Sequence, residues 1–251
     1  VLTLDTNLLG WRVQDLDRAD LPFLRGKGLA QYISDPVFQK LIDEPDDQDT
    51  PERPGKITWD TLSAISELMR NYPGSFFNNL RTGRPLKAVR KFINTFSNPA
   101  MNWENLSFLR AHTKLPILLK GILHPDDARK AIDHGVDGII VSNHGGRAQE
   151  TGWATLDSLP EVVKAIDGKI PVMIDSGFRR GTDIYKALAL GATAVGVGRT
   201  YMWGLAAFGQ EGVERVLELL KLELRLAMMS TGALSLDDIG RSSIGSSLLN
   251  R

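Results

Sequence analysis

At 251 residues the chain is long enough for one barrel-sized domain, and a hydrophobic content of 42% supplies a core for it. The 30 Lys and Arg balance the 30 Asp and Glu, so overall charge points neither to nucleic acid nor to an anionic membrane. The absence of cysteine excludes disulfides, thiolate metal sites and cysteine nucleophiles, and no metal site is expected.

The opening Val1-Leu2-Thr3-Leu4-Asp5 reads as a core strand rather than a signal peptide, and no run of about 20 apolar residues follows it. A soluble, cytoplasmic protein is therefore expected. Domains rarely begin inside their core, so the expectation is also that the N-terminus has been cut or lost.

Arg12 to about Ala100 is far longer than an ordinary strand-to-helix connection, and a lid or insertion is expected there. Within it, acidic, proline-rich Asp43 to Gly55 reads as a mobile surface loop, and Thr58 to Asn71 as a helix opening on a Thr or Asp cap. Arg81, Arg84, Arg90 and Lys91 read as a solvated basic face.

From Leu115 the pattern turns regular. Apolar runs at Pro116 to Leu119, Gly138 to Val141, Pro171 to Ile174 and Ala194 to Val197 predict strands. Amphipathic segments at Pro125 to His134, Leu156 to Ile166 and Gly181 to Leu190, each ending near a glycine, predict helices between them. A last helix, about Gln210 to Ser230, places Leu217, Leu220, Leu224 and Met228 on one core-facing stripe. Strand and helix alternating in this way is the signature of a parallel sheet. Counting the opening run gives five strands; a closed eight-stranded barrel needs three more, so a fragment of a longer polypeptide is expected.

Chemistry concentrates at the strand ends. Ser142-Asn143-His144-Gly145-Gly146-Arg147 follows Gly138 to Val141 and offers a proton acceptor, two glycines that let backbone approach a ligand, and a fixed cation suited to a carboxylate. Lys120 closes the apolar run before it, where it either snorkels to solvent or stabilises an anionic cofactor. Asp175-Ser176-Gly177-Phe178-Arg179-Arg180-Gly181 and Gly196-Val197-Gly198-Arg199 end the last two strands. Two glycine loops with arginines in that order match the phosphate cradle that α/β barrels build there.

These three motifs, in this order, resemble the FMN-dependent L-2-hydroxy acid oxidising family, which includes glycolate oxidase, flavocytochrome b2 and lactate monooxygenase. The likeness runs from about Trp103 to Ile244, with a second anchor at Thr3 to Arg12, and looks nearest to the lactate monooxygenase-like branch. It implies the C-terminal part of a TIM (β/α)8 barrel, about strands 4 to 8, with a long insertion after the first strand present. It implies FMN as cofactor, a small L-2-hydroxy acid of the lactate or glycolate type as substrate, an electron acceptor such as O2, and a homo-oligomer, a tetramer in the family's manner. No nucleic acid or membrane partner is implied.

By the same resemblance His144 would be the active-site base and Asp5 would hydrogen-bond its imidazole. Arg147 and Arg12 would clamp the substrate carboxylate. Lys120 would stabilise the anionic reduced flavin, and Thr3 and Ser142 would hydrogen-bond the isoalloxazine. Asp175, Gly177 and Arg179 would hold the ribityl and phosphate region, with Gly198 and Arg199 completing the cradle. None of Tyr32, Tyr72, Tyr185 or Tyr201 matches a substrate-contacting tyrosine of the family.

Other candidates have plainer readings. His112, His124 and His134 belong on or beside surface helices, and the tryptophans to packing, with Trp11 and Trp153 placed to border a pocket. The loop Ala148 to Ala154 is a candidate for shaping substrate choice. A catalytically silent fragment, and a different phosphate-binding barrel such as an isomerase, remain open at this stage.

Overall fold

The computed structural model describes residues 1–6, 17, 21–45, 58–96, 98–148 and 152–245. The chain divides into two compact units, Val1–Trp11 with Pro99–Arg251, and Arg12–Asn98.

The first unit is built on five parallel strands in sequential order: β1 (Leu2–Thr3), β2 (Leu118–Ile122), β3 (Gly138–Val141), β4 (Val172–Ile174) and β5 (Ala194–Val195). Helices of this unit are α6 (Asn105–His112), α7 (Pro125–Asp133), α8 (Thr155–Ile166), α9 (Gly181–Ala189) and α10 (Arg199–Thr231). The strand side chains alternate between two faces. Leu119, Ile139, Val141, Val172 and Ile174 pack under Ala128, Ala131, Leu159, Val162, Ile166, Ala187 and Leu190 of the helices. In register on the other face stand Thr3, Lys120, Ile140, Met173 and Ala194, so the one lysine of the sheet lies on the face without that helical cover.

Several boundaries differ from the sequence expectations. β2 begins two residues later than Pro116 and runs through Lys120 to Ile122, because Gly121 forms a bulge (φ 108°) and the ladder resumes beyond it. β1 and β5 are shorter than Val1 to Asp5 and Ala194 to Val197. The last expected helix does form from Gln210; a further helical segment from Arg199, not expected from the sequence, precedes it across non-helical backbone at Phe208 and Gly209. On it Leu220 is buried and Leu224 and Met228 are packed, but Leu217 is 48% exposed and leaves the expected stripe.

The helices at Pro125, Leu156 and Gly181 form close to the expected bounds. His124 caps α7 by accepting the Asp126 amide at 3.2 Å, and the His134 ring nitrogen Nδ1 meets the Lys130 carbonyl at 2.9 Å at its other end; His112 closes α6. All three are helix-end residues.

Asp137 ties β2 to β3. Its carboxylate accepts the Ile117 amide at 2.7 Å and the Arg110 guanidinium at 2.6 Å. Those bonds, the Ile117 amide foremost, hold its carboxyl below the usual aspartate range. A lowered folded value means the unfolded chain binds the proton first as pH falls, so this stabilisation is present above the ordinary carboxylate range and disappears as pH drops through the folded value. Asp137→Asn is therefore expected to flatten the acid limb of a plot of Tm against pH, with the difference from wild type largest near neutrality. Thermal unfolding between about pH 3 and pH 7 checks this.

The second unit is helical: α1 (Ala30–Ile33), α2 (Pro36–Leu41), α3 (Trp59–Asn71), α4 (Phe76–Thr82) and α5 (Arg84–Phe96), with a 3-10 turn at Pro22–Arg25. Thr58 caps α3 as expected, in a reciprocal pair with Thr61. The unit has its own core around Leu29, Phe38, Leu68, Met69, Ala88 and Phe92. The basic face expected here is corrected in one respect. Arg84 reaches back to Asp43 at 2.5 Å and to the Gln39 carbonyl at 3.0 Å, so it is a structural tie and not a solvated charge. Of the expected mobile loop Asp43 to Gly55, residues 46 onward lie outside the described residues.

Among the described residues no helix is long and apolar enough to cross a membrane, and no group of three or more His, Asp or Glu is placed to hold a metal ion.

Candidate active site

The carboxyl ends of all five strands lie along one edge of the sheet, where parallel α/β barrels place their functional groups. A cavity of about 340 Å³ opens there, within the size range of small-molecule sites. Lys120, His144, Arg147, Asp175, Arg179, Arg199 and Trp203 line it, with Gly177 and Gly198 among the backbone that closes its wall.

One end is organised around His144. Its Nδ1 lies 3.1 Å from Asp5 Oδ1, which joins the end of β1 to the loop after β3. Asp5 is only 11% exposed and His144 34%, so the carboxylate is largely shielded while the imidazole reaches the cavity. Gly121 makes room for this pair: a Cβ added there would lie 3.0 Å from both the Asp5 amide nitrogen and its Cβ. Among the described residues Asp5 Oδ2 has no hydrogen-bond partner, and it faces Lys120 Nζ at 4.0 Å.

Lys120 is the hub between loops. Its ammonium donates to Ser142 Oγ at 2.7 Å and pairs with Asp175 Oδ2 at 3.2 Å. Ser142 is fully buried, and its hydroxyl also accepts the His144 amide at 3.2 Å.

His144 has φ 55°, in the left-handed region, and Gly145 follows at 69°. Histidine is among the few side chains that enter this region with some frequency, and glycine enters it freely. The loop is braced by Asn143, whose Oδ1 accepts the Gly146 amide at 3.1 Å and whose Nδ2 donates to the Trp153 carbonyl at 3.1 Å.

The other end is cationic. The helix α10 starts at Arg199 with Gly198 before it, so its free N–H groups and positive dipole end meet the cavity. Arg199 Nη2 donates to the Gly145 carbonyl at 2.6 Å, linking the two ends of the site, and the fork retains further donors. The Arg179 guanidinium lies 5.5 Å from the Trp203 ring centre. Asp183 holds the Arg179 and Arg180 amides at 3.1 and 3.0 Å, and Glu223 accepts the Gly181 amide at 2.8 Å, fixing the loop from behind. That amide, with Arg180, keeps the Glu223 carboxyl below its usual range.

The structure thus gathers His144, Asp5, Lys120, Arg147, Asp175, Gly177, Arg179, Gly198 and Arg199 at one place. Ser142 sits behind the cavity wall rather than on it, and Thr3 lies in register beside Lys120 without lining the cavity. Arg12 and Trp11 lie outside the described residues, as do residues 149–151 of the loop after Arg147; Trp153 is 58% exposed. Sequence reasoning missed Ser176, Thr155 and Trp203. For Trp203 a signal existed, since it lies four residues after Arg199 and so on the same helix face.

Five parallel strands with the strand–helix alternation of α/β-barrel proteins carry a histidine–carboxylate pair at one end of a cavity and an arginine-rich helix start, suited to a phosphate, at the other. The sequence matches the FMN-dependent dehydrogenase family over residues 1–246. It is 40% identical to an L-lactate oxidase of Lysinibacillus sphaericus across 95% of this chain and 52% of that protein. It is 56% identical to 2-hydroxyacid oxidase 1 of Homo sapiens over 54% of this chain and 36% of that protein. Among solved structures, a flavocytochrome b2 variant with pyruvate bound superposes with a TM-score of 0.60 at 34% identity, covering 67% of this chain and 45% of that one. Mandelate oxidase with (S)-4-hydroxymandelic acid gives 0.57 at 46% identity, covering 62% and 43%.

The chain belongs to the FMN-dependent dehydrogenase family, whose fold is the (β/α)8 barrel that the resemblance implied. It spans about half the length of the curated relatives it matches. The residues present fit the family's FMN. A cavity with arginines and a helix N-terminus at one end suits a phosphate, and the half-buried Lys120 at the other supplies a cation for an electron-rich ring.

Proposed function

We propose that this chain carries the base and the phosphate cradle of an enzyme that oxidises a small L-2-hydroxy acid, of the lactate or glycolate type, to its 2-keto acid or the decarboxylated product. The observation that carries this reading is the His144–Asp5 pair opening on the same cavity as Lys120 and Arg147. Names of the relatives, L-lactate oxidase and 2-hydroxyacid oxidase, support the substrate class and O2 as acceptor.

Arg147 reads the substrate carboxylate with its planar fork, and Arg12 is assigned to the same task. Asp5 engages Nδ1 of His144, which leaves Nε2 to face the substrate and fixes the tautomer. Nε2 then takes the proton released as the hydroxy carbon is oxidised, and the Asp5 carboxylate balances the imidazolium. Bound FMN supplies the two-electron acceptor for that carbon. Lys120, oriented by Ser142 and Asp175, would supply the positive charge beside the electron-rich ring of bound FMN, with Ser142 acting through Lys120 from behind the cavity wall. Asp175, Gly177 and Arg179 hold the ribityl and phosphate region, and Gly198 with Arg199 closes the cradle. Residues 12–100 are assigned as an insertion on the barrel, a reading supported by their helical content and separate core.

The test is product formation. Protein loaded with FMN and given L-lactate or glycolate in air is expected to form a 2-keto acid, or the acid one carbon shorter, with consumption of O2. Loaded protein that forms neither from any short 2-hydroxy acid overturns the substrate class.

A further inference from the structure

We infer that Ser176 is a positioning residue for the His144 loop, coupling it to the Lys120–Asp175 pair; this rests on the function proposed above. Ser176 stands in the left-handed region at φ 81°, where a side chain is disfavoured and glycine is at ease. Its hydroxyl offsets that cost with bonds no glycine can make. Oγ accepts the Gly145 amide at 3.0 Å and the Asn143 amide at 3.3 Å, and donates to Asp175 Oδ1 at 2.8 Å. The two amides flank His144 on either side in the chain. The other oxygen of the same Asp175 carboxylate pairs with Lys120 at 3.2 Å.

One hydroxyl therefore fixes the backbone around the base and the orientation of the carboxylate that holds the lysine. Thr155, buried at the start of α8, locks Ser176 from behind by donating to the Asp175 carbonyl at 2.8 Å. Sub-ångström errors in the placement of a reacting group are costly in rate, so such a brace acts on catalysis without touching substrate.

The test uses Ser176→Gly, which removes the hydroxyl and relieves the backbone, beside Ser176→Ala, which removes the hydroxyl and keeps the strain. In the flavin-free protein both are expected to speed amide exchange at Asn143 and Gly145 about tenfold, because those N–H groups lose their acceptor, while Ser176→Gly keeps or raises Tm. In the FMN-loaded protein both are expected to slow anaerobic flavin reduction by L-lactate about ten- to a hundredfold with the substrate concentration at half-saturation little changed. Unchanged exchange at Asn143 and Gly145 in both variants overturns the proposal, as does faster exchange with unchanged reduction. Faster exchange in Ser176→Ala alone does so too, by assigning the effect to backbone strain. A wild-type protein whose flavin no 2-hydroxy acid reduces would sink the proposed function instead, leaving the exchange result to report the hydroxyl's hold on the loop.

Discussion

His144→Asn is expected to slow flavin reduction by an L-2-hydroxy acid about a thousandfold, within the range ascribed to a positioned general base. Asparagine is chosen because the position has φ 55° and asparagine tolerates the left-handed region, so the loop from Ser142 to Arg147 keeps its path. What is lost is the nitrogen that Asp5 presents to the cavity. FMN affinity should stay close to that of the wild type, since the cationic end of the cavity rests on Arg179, Arg199 and the α10 N-terminus. Anaerobic stopped-flow spectra and a flavin fluorescence titration separate the two quantities. A loss of flavin binding that matches the loss of rate would show that His144 shapes the site rather than acting in it.

Lys120→Met is expected to affect both stability and the site. Lys120 is 19% exposed, and its ammonium is the cation set between Asp5, 11% exposed, and Asp175, 23% exposed. Removing one partner of a shielded charge cluster leaves the others uncompensated, and the partial exposure here places the cost at about 2–3 kcal/mol, toward the low end for buried pairs. Urea unfolding of the flavin-free protein measures it. Adding Asp175→Asn to Lys120→Met should restore part of the loss, because the double variant removes one of the two stranded charges. A Lys120→Met variant within about 0.5 kcal/mol of wild type would show that solvent already screens the cluster.

Much of the site was legible because its residues interrupt apolar runs. His144 and Arg147, Asp175 and Arg179, and Gly198 and Arg199 each follow a β-branched stretch, and that contrast survives in one dimension. The row that places Lys120 beside Thr3 is set by the pairing register of β1 with β2, which the sequence alone does not disclose. Where reading failed, long-range packing had overruled a local signal. Gly121 looks like the end of a strand, yet it is a bulge that makes room for Asp5. Gly204, to which the sequence assigned no role, serves close backbone packing across the Phe208–Gly209 break, since a Cβ there would lie 2.4 Å from the Gly212 carbonyl oxygen. Between residues 12 and 98 the longer α3 was legible, whereas α1, α2 and α4 are too short for periodicity to announce. Ser176 was invisible for a different reason: Asp-Ser-Gly does not disclose that its hydroxyl will meet two amides 31 and 33 residues away.

We propose that the cavity between His144 and Arg199 serves oxidation of a 2-hydroxy acid at FMN. The most direct measurement is the visible absorbance of the FMN-loaded protein during anaerobic addition of L-lactate or glycolate, wild type beside His144→Asn. Rapid bleaching of the flavin band in the wild type, with the yellow colour persisting in the variant, is the predicted result. Equal bleaching in both, or a wild-type band that no short 2-hydroxy acid bleaches, would contradict it.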